Sequence, residues 1–196
     1  MPGIVGGGRR AVEQRVVSRL RDLLFAQDAM RRAGWIDPDG DGIGSAAWLE
    51  ELCGGPPRRG QALRPTPVLH CGELIATALG PAARSGPYLY TSCLPAPGGG
   101  WAAAGAPVDE EAAERHFIAF AWPERHGPFE RAFFIDEHEN IRVALLPVPA
   151  QGAATPFAAS CAAALEGPEW QVWRGKQPRP DLPGDPTAGG SAPDLP

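Results

Sequence analysis

Between Arg9 and Ala33 the apolar positions recur in steps of three and four. Val12, Val16, Leu20, Leu23, Gln27 and Met30 draw one stripe, and Arg10, Glu13, Arg15, Arg19, Arg21 and Asp22 take the remaining faces. This spacing predicts one long amphipathic helix, with Gly34 placed to end it. A short helix is expected over Ala46–Cys53, with Ser45 as its N-cap, and another over Val68–Leu79. Further along the pattern changes. Tyr88–Leu94, His116–Trp122, Arg131–Asp136 and Ile141–Leu145 are short, rich in aromatic and β-branched residues, and bounded by Pro, Gly or polar turns, as strands are. Between the last two, His138 or Asn140 is expected to take the positive φ of a hairpin turn. Val108–Arg115 suggests a single helical turn, and Ala154–Leu165 a terminal helix.

These elements predict an α+β fold in which the long N-terminal helix packs on a small antiparallel sheet of three to four strands. Alternation along the second strand sends Phe117, Ala119 and Ala121 to one face and Ile118, Phe120 and Trp122 to the other. One face should meet the helix. The other needs a cover, or it is a partner-binding surface.

At 196 residues the chain suits one domain. We divide it into a flexible N-terminus over 1–8, a folded domain over 9–173 and a Pro/Gly-rich tail over 174–196. Residues Pro178, Pro180, Pro183, Pro186, Pro193 and Pro196 come with almost no large apolar side chains, so the tail is expected to be disordered. The net charge of −5, without a basic stripe carrying interleaved aromatics, argues against nucleic acid as a partner. No apolar run is long enough to span a bilayer, and Met1–Gly8 lacks the features of a signal peptide, so the chain as written reads as cytoplasmic.

Cys53, Cys71, Cys93 and Cys161 are even in number and irregular in spacing. They read as buried small hydrophobes, or as one or two disulfides if the domain is exported. A zinc set of Cys53, His70, Cys71 and Cys93 lacks CxxC spacing.

One segment has ligand chemistry. Asp37, Asp39 and Asp41 alternate, and Gly42 follows at the position where a calcium loop makes its sharp turn. Ile43 can add a backbone carbonyl, and Glu50 or Glu51 a further carboxylate, so Ca2+ is the candidate cofactor. The twelfth position of such a loop needs a bidentate Glu and here is Trp48, so the motif is incomplete. The competing expectation is an Asp/Gly turn that caps the next helix. His116, His126 and His138 lie at a strand start and in turns, and Glu110, Glu111 and Glu114 form an acidic helix face. No catalytic residue emerges: neither serine context is a nucleophile elbow, and Gly98–Gly100 is followed by no lysine or helix start. We therefore expect no enzymatic activity.

The stretch Pro2–Gln27, with Arg9-Arg10-Ala11 and Ser18–Gln27 (SRLRDLLFAQ), resembles the region just after the transmembrane segment of type IV pilin-like proteins. Arg32–Gly44 (RAGWIDPDGDGIG), Trp48–Leu52, Ser85–Tyr88, Ala121–Pro123 and Ala132–Glu137 resemble, in this order, the head of type II secretion pseudopilins. The similarity covers residues 2–145. It implies a shaft-forming helix, an antiparallel sheet of three or four strands, a periplasmic or surface location, and other pilin-like subunits or secretion-system proteins as partners. Pseudopilins of this sort often bind calcium. No cleavage motif or apolar stem occurs within the chain, so membrane contact would require a stem upstream. The alternative is a free-standing soluble binding domain, calcium-stabilised or not, with no filament role.

Overall fold

The computed structural model describes residues 4–55, 59, 67–125, 131–146, 160–166 and 168–175. Helix α1 (Ile4–Ala33) begins five residues ahead of the expected Arg9 start. It is followed by α2 (Leu49–Leu52), α3 (Glu110–Ala113) and α4 (Cys161–Glu166), set among eight strands. The strands are β1 (Leu74–Thr77), β2 (Gly80–Ser85), β3 (Tyr88–Pro95), β4 (Trp101–Ala102), β5 (Ile118–Pro123), β6 (Arg131–Asp136), β7 (Ile141–Leu145) and β8 (Gln171–Val172).

All strand pairs are antiparallel, in the order β1-β2-β3-β5-β6-β7-β8, with β4 attached to β3. This corrects the expected sheet of three to four strands: among the described residues eight antiparallel strands dominate the fold. The four expected strands are β3, β5, β6 and β7, and the other four carry weak signals. In β2 (GPAARS) glycine, proline and alanine replace the usual strand formers. At two residues each, β4 and β8 are too short to show a period. Strand β1 lies inside Val68–Leu79, where a helix was expected; Gly72 interrupts that stretch, and Leu74–Thr77 pairs with β2 instead.

The apolar stripe of α1 behaves as its spacing predicts. Val16, Leu20, Leu23 and Met30 are buried, joined by Val17, Leu24 and Ala26, and the helix lies across β5 and β6. Each such side chain contributes about 1.5–3 kcal/mol of gross transfer energy. Facing it from the sheet are Tyr88, Tyr90, Phe117, Ala119, Ala121, Phe133 and Val143. An ion pair fixes the helix to β6: both carboxylate oxygens of Glu13 accept from the Arg131 guanidinium, at 3.1 and 3.2 Å, with both side chains about nine-tenths buried.

The opposite face of the sheet carries a second core of Leu89, Ile118, Phe120, Trp122, Ala132 and Phe134. Its cover is α4 together with Trp101 and Trp170. Trp170 sets its ring edge-on to Phe134 at 4.9 Å and tilts against Phe120 at 6.2 Å. The Cys93–Cys161 disulfide, with a Cα separation of 6.1 Å, ties α4 to β3 on this face. Both faces of the central strands are therefore covered, and every residue of β3 and β5 is buried. Cys53 and Cys71 form a second disulfide, 5.4 Å between Cα atoms. The two pairings together use the thiols that the zinc set of Cys53, His70, Cys71 and Cys93 would need.

Local detail adds to or shifts several expectations. Ser45 is buried and donates its hydroxyl to the Glu110 carbonyl instead of capping α2; the Trp48 amide at that cap donates to Glu51 Oε2 at 2.6 Å. Asp109 caps α3 by accepting from the Ala112 amide at 3.0 Å. In the β6–β7 turn the positive φ, 61°, belongs to Glu139 and not to His138 or Asn140. The expected terminal helix is described only as α4; residues 154–159, His126 and the tail from 176 onward lie outside the described residues.

Candidate functional site

Helix α1 ends where Gly34 takes φ 60° and donates its amide to the Arg31 carbonyl. Ile36 is buried, and its carbonyl accepts from the Ser45 amide at 2.7 Å. That bond closes residues 37–44 into an excursion with a narrow neck. Gly44 is required at the neck, because a Cβ there would strike the carbonyl oxygen of Arg31.

Within the loop, Asp37, Asp39 and Asp41 each place one carboxylate oxygen within 4.8 Å of the others. The same carboxylates serve the loop itself. Asp37 Oδ1 accepts from the Gly40 amide at 2.8 Å and Oδ2 from the Gly42 amide at 3.1 Å. Asp41 Oδ1 accepts from the Ile43 amide at 2.7 Å. Both Gly40 and Gly42 have positive φ, 76° and 89°, which lets those amides turn inward. The Asp37 carboxyl is held below its ordinary value: desolvation, the largest single influence, pushes it up, but the Gly42 and Gly40 amides, hydrogen bonding with Asp39 and the Asp41 amide together outweigh it. Glu114, at the end of α3, is raised by desolvation first and then by the charges of Asp41 and Asp39. The loop and α3 thus share one acidic patch.

Of the three further ligands suggested by the sequence, the two glutamates do not reach the cluster. Glu50 is buried in α2 and does not join the Asp cluster. Glu51 is engaged with the Trp48 amide and the Arg59 guanidinium. Ile43 is 54% exposed and donates its amide to Asp41 Oδ1, which leaves its carbonyl as a backbone oxygen of the loop. Calcium takes six to eight oxygens. Three carboxylates whose oxygens already bind loop amides fit a self-capped turn better than a cation cage.

Other polar groups are committed to structure. The Ser92 hydroxyl donates to the Ala47 carbonyl, and Ser160 accepts from the Ala163 amide. Arg59, nine-tenths buried, bridges Glu51 at 3.1 Å and Glu110 at 2.8 Å and lies over the Trp48 ring. A groove of about 210 Å³ is lined by Arg21, Glu139, Asn140, Arg142, Val172 and Trp173. The Arg21–Glu139 pair, 2.7 Å apart, neutralises itself across it. The four cysteines are all oxidised, so none is a nucleophile.

One cluster was passed over in the sequence because His116 lies 21 residues from Glu137, which His138 follows directly. Glu137 Oε1 lies 2.6 Å from His116 Nδ1 and 3.5 Å from His138 Nε2. The β5–β6 register, which pairs Ile118 with Asp136, carries position 116 opposite 138 when continued by two residues. Strand pairing brings His116 to the other two.

Compared with known proteins, the chain matches no family model, no curated protein and no solved structure.

Proposed function

We propose that this chain is a non-enzymatic structural or interaction domain, the head of a pilin-like or pseudopilin subunit serving a secretion or surface-filament system. The observation that carries this is how α1 sits. Its 30 residues make a rod about 45 Å long. Among the described side chains, those packed on the sheet begin at Val12 and Glu13, and Gly8–Ala11 are all exposed, so over that stretch the rod stands clear of the sheet. A helix that overruns its own core has surface to offer another helix. Two disulfides support an oxidising compartment outside the cytosol. Both faces of the central strands are covered, while the helix keeps an exposed outer side that includes Phe25 at 67% exposure.

The test is a photo-crosslinking residue at Arg10 in the natural gene product, expressed in its own cell. Pilin-like assembly predicts a ladder of adducts between copies of this chain or with other pilin-like subunits, absent when the probe replaces the buried Leu20. A monomer that forms no adduct at Arg10 would favour the free-standing binding domain instead.

A further inference from the structure

We propose that the Cys53–Cys71 disulfide is a redox latch. A dithiol reductant opens it in the folded protein while Cys93–Cys161 stays closed, and its opening loosens the junction between α2 and the entry to the edge strand β1.

The two disulfides differ in what surrounds them. Cys93 and Cys161 are 0% and 1% exposed and belong to the second core, so a reductant meets their sulfurs only if that core opens. Cys53 and Cys71 are half-buried and pack at the margin of the first core. Exchange begins with attack of a thiolate on one sulfur, so access decides which bond opens first. The reductant's thiolate forms a mixed disulfide with one cysteine and releases the other as a thiolate. Its second thiol then attacks that mixed disulfide, and the reductant leaves in its oxidised, cyclic form. Two electrons and two protons pass to the protein, which gains two cysteine thiols.

What the bond holds follows from its neighbours in the chain. Cys53 ends α2, and its amide donates to the Leu49 carbonyl at 3.0 Å. Gly54 comes next at φ 79°, and a Cβ there would strike the Pro67 ring, so a glycine lets the two segments close. The amides of Val68 and Leu69 both donate to the Leu52 carbonyl, at 2.9 and 3.0 Å, and Arg19 reaches the His70 carbonyl from α1. Just beyond Cys71 begins β1, the end strand of the sheet, with Leu74 42% exposed. Among the described residues, the covalent bond therefore reinforces one shared carbonyl, one arginine contact and the buried Leu69. Without it those contacts act alone, and a segment held so lightly at a sheet edge opens locally while the core stays folded.

The test is graded dithiothreitol on the full chain without denaturant at mildly alkaline pH. Free thiols are quenched with iodoacetamide and located by peptide mass mapping, with amide hydrogen exchange followed alongside. Cys53 and Cys71 should be alkylated as a pair about ten-fold or more faster than Cys93 and Cys161. In the protein reduced at that bond alone, the Val68 and Leu69 amides should exchange faster, while the amides of β3 and β5 keep their protection. C53S/C71S should show the same fast exchange at Val68 and Leu69 with no reductant present. The wild-type labelling and exchange decide the matter by themselves if that variant does not fold. Labelling of all four cysteines together, or of Cys93 and Cys161 first, would overturn the assignment. So would unchanged exchange at Val68 and Leu69 once Cys53 and Cys71 are alkylated.

Discussion

The side-chain amide of Gln27 pairs with the backbone of Ala47 as one strand pairs with another. Its Nε2 donates to the Ala47 carbonyl at 2.8 Å, and its Oε1 accepts from the Ala47 amide at 2.7 Å. Gln27 is fully buried in the apolar stripe of α1, and Ala47 lies in the extended segment before α2. A polar residue in that stripe thus anchors the segment leading from the acidic loop to the rest of the fold.

Replacing Gln27 by Ala should be costly for that reason. It removes both bonds, strands a buried amide and leaves a void, for about 2–4 kcal/mol in total. Chemical denaturation measures the loss, and the Ala47 amide should become one of the more rapidly exchanging amides of the segment. A loss under about 0.5 kcal/mol would mean that water replaces the side chain.

The two disulfides should contribute unequally. Cys53–Cys71 spans 18 residues and Cys93–Cys161 spans 68. By chain entropy alone the first stabilises by about 3 kcal/mol and the second by about 4. The C93A/C161A variant should therefore melt below C53A/C71A, and more so because it also releases α4 from the second core. Equal melting temperatures would contradict this.

The acidic loop should give a signal in acid. Because the Asp37 carboxyl is held below its ordinary value of 3.8, its contribution to stability is complete above that pH and is lost as pH falls through its lower folded value. Melting temperatures of the wild type and D37N, followed from pH 6 to pH 2, should differ by a constant amount above pH ~5 and converge below pH ~4. A gap that stays constant to pH 2 would assign the stabilisation elsewhere.

Calcium tests the same loop differently. A self-capped turn predicts that millimolar calcium leaves the melting temperature unchanged in both the wild type and D39A. A calcium-dependent rise in the wild type that D39A abolishes would make the loop a cation site after all.

What was legible in the chain was local. The stripe from Val12 to Met30, the four strands dense in aromatics, and the division of Phe117 and Ile118 between opposite faces follow from side-chain period, and they appear as expected. Each depends on residues within a turn or two of one another. Strands β1, β2, β4 and β8 were not legible because their pairing neighbours, and not their own side chains, make them strands. The cysteine pairing and the meeting of His116, Glu137 and His138 were equally hidden. Contacts across 18 to 68 residues are set by which strands lie side by side. The amphipathic pattern determined that a helix would cover a sheet. The packed sheet decided how wide it is, what seals its second face, and which polar groups meet at its ends, because burial selects among pairings that local propensity leaves equal.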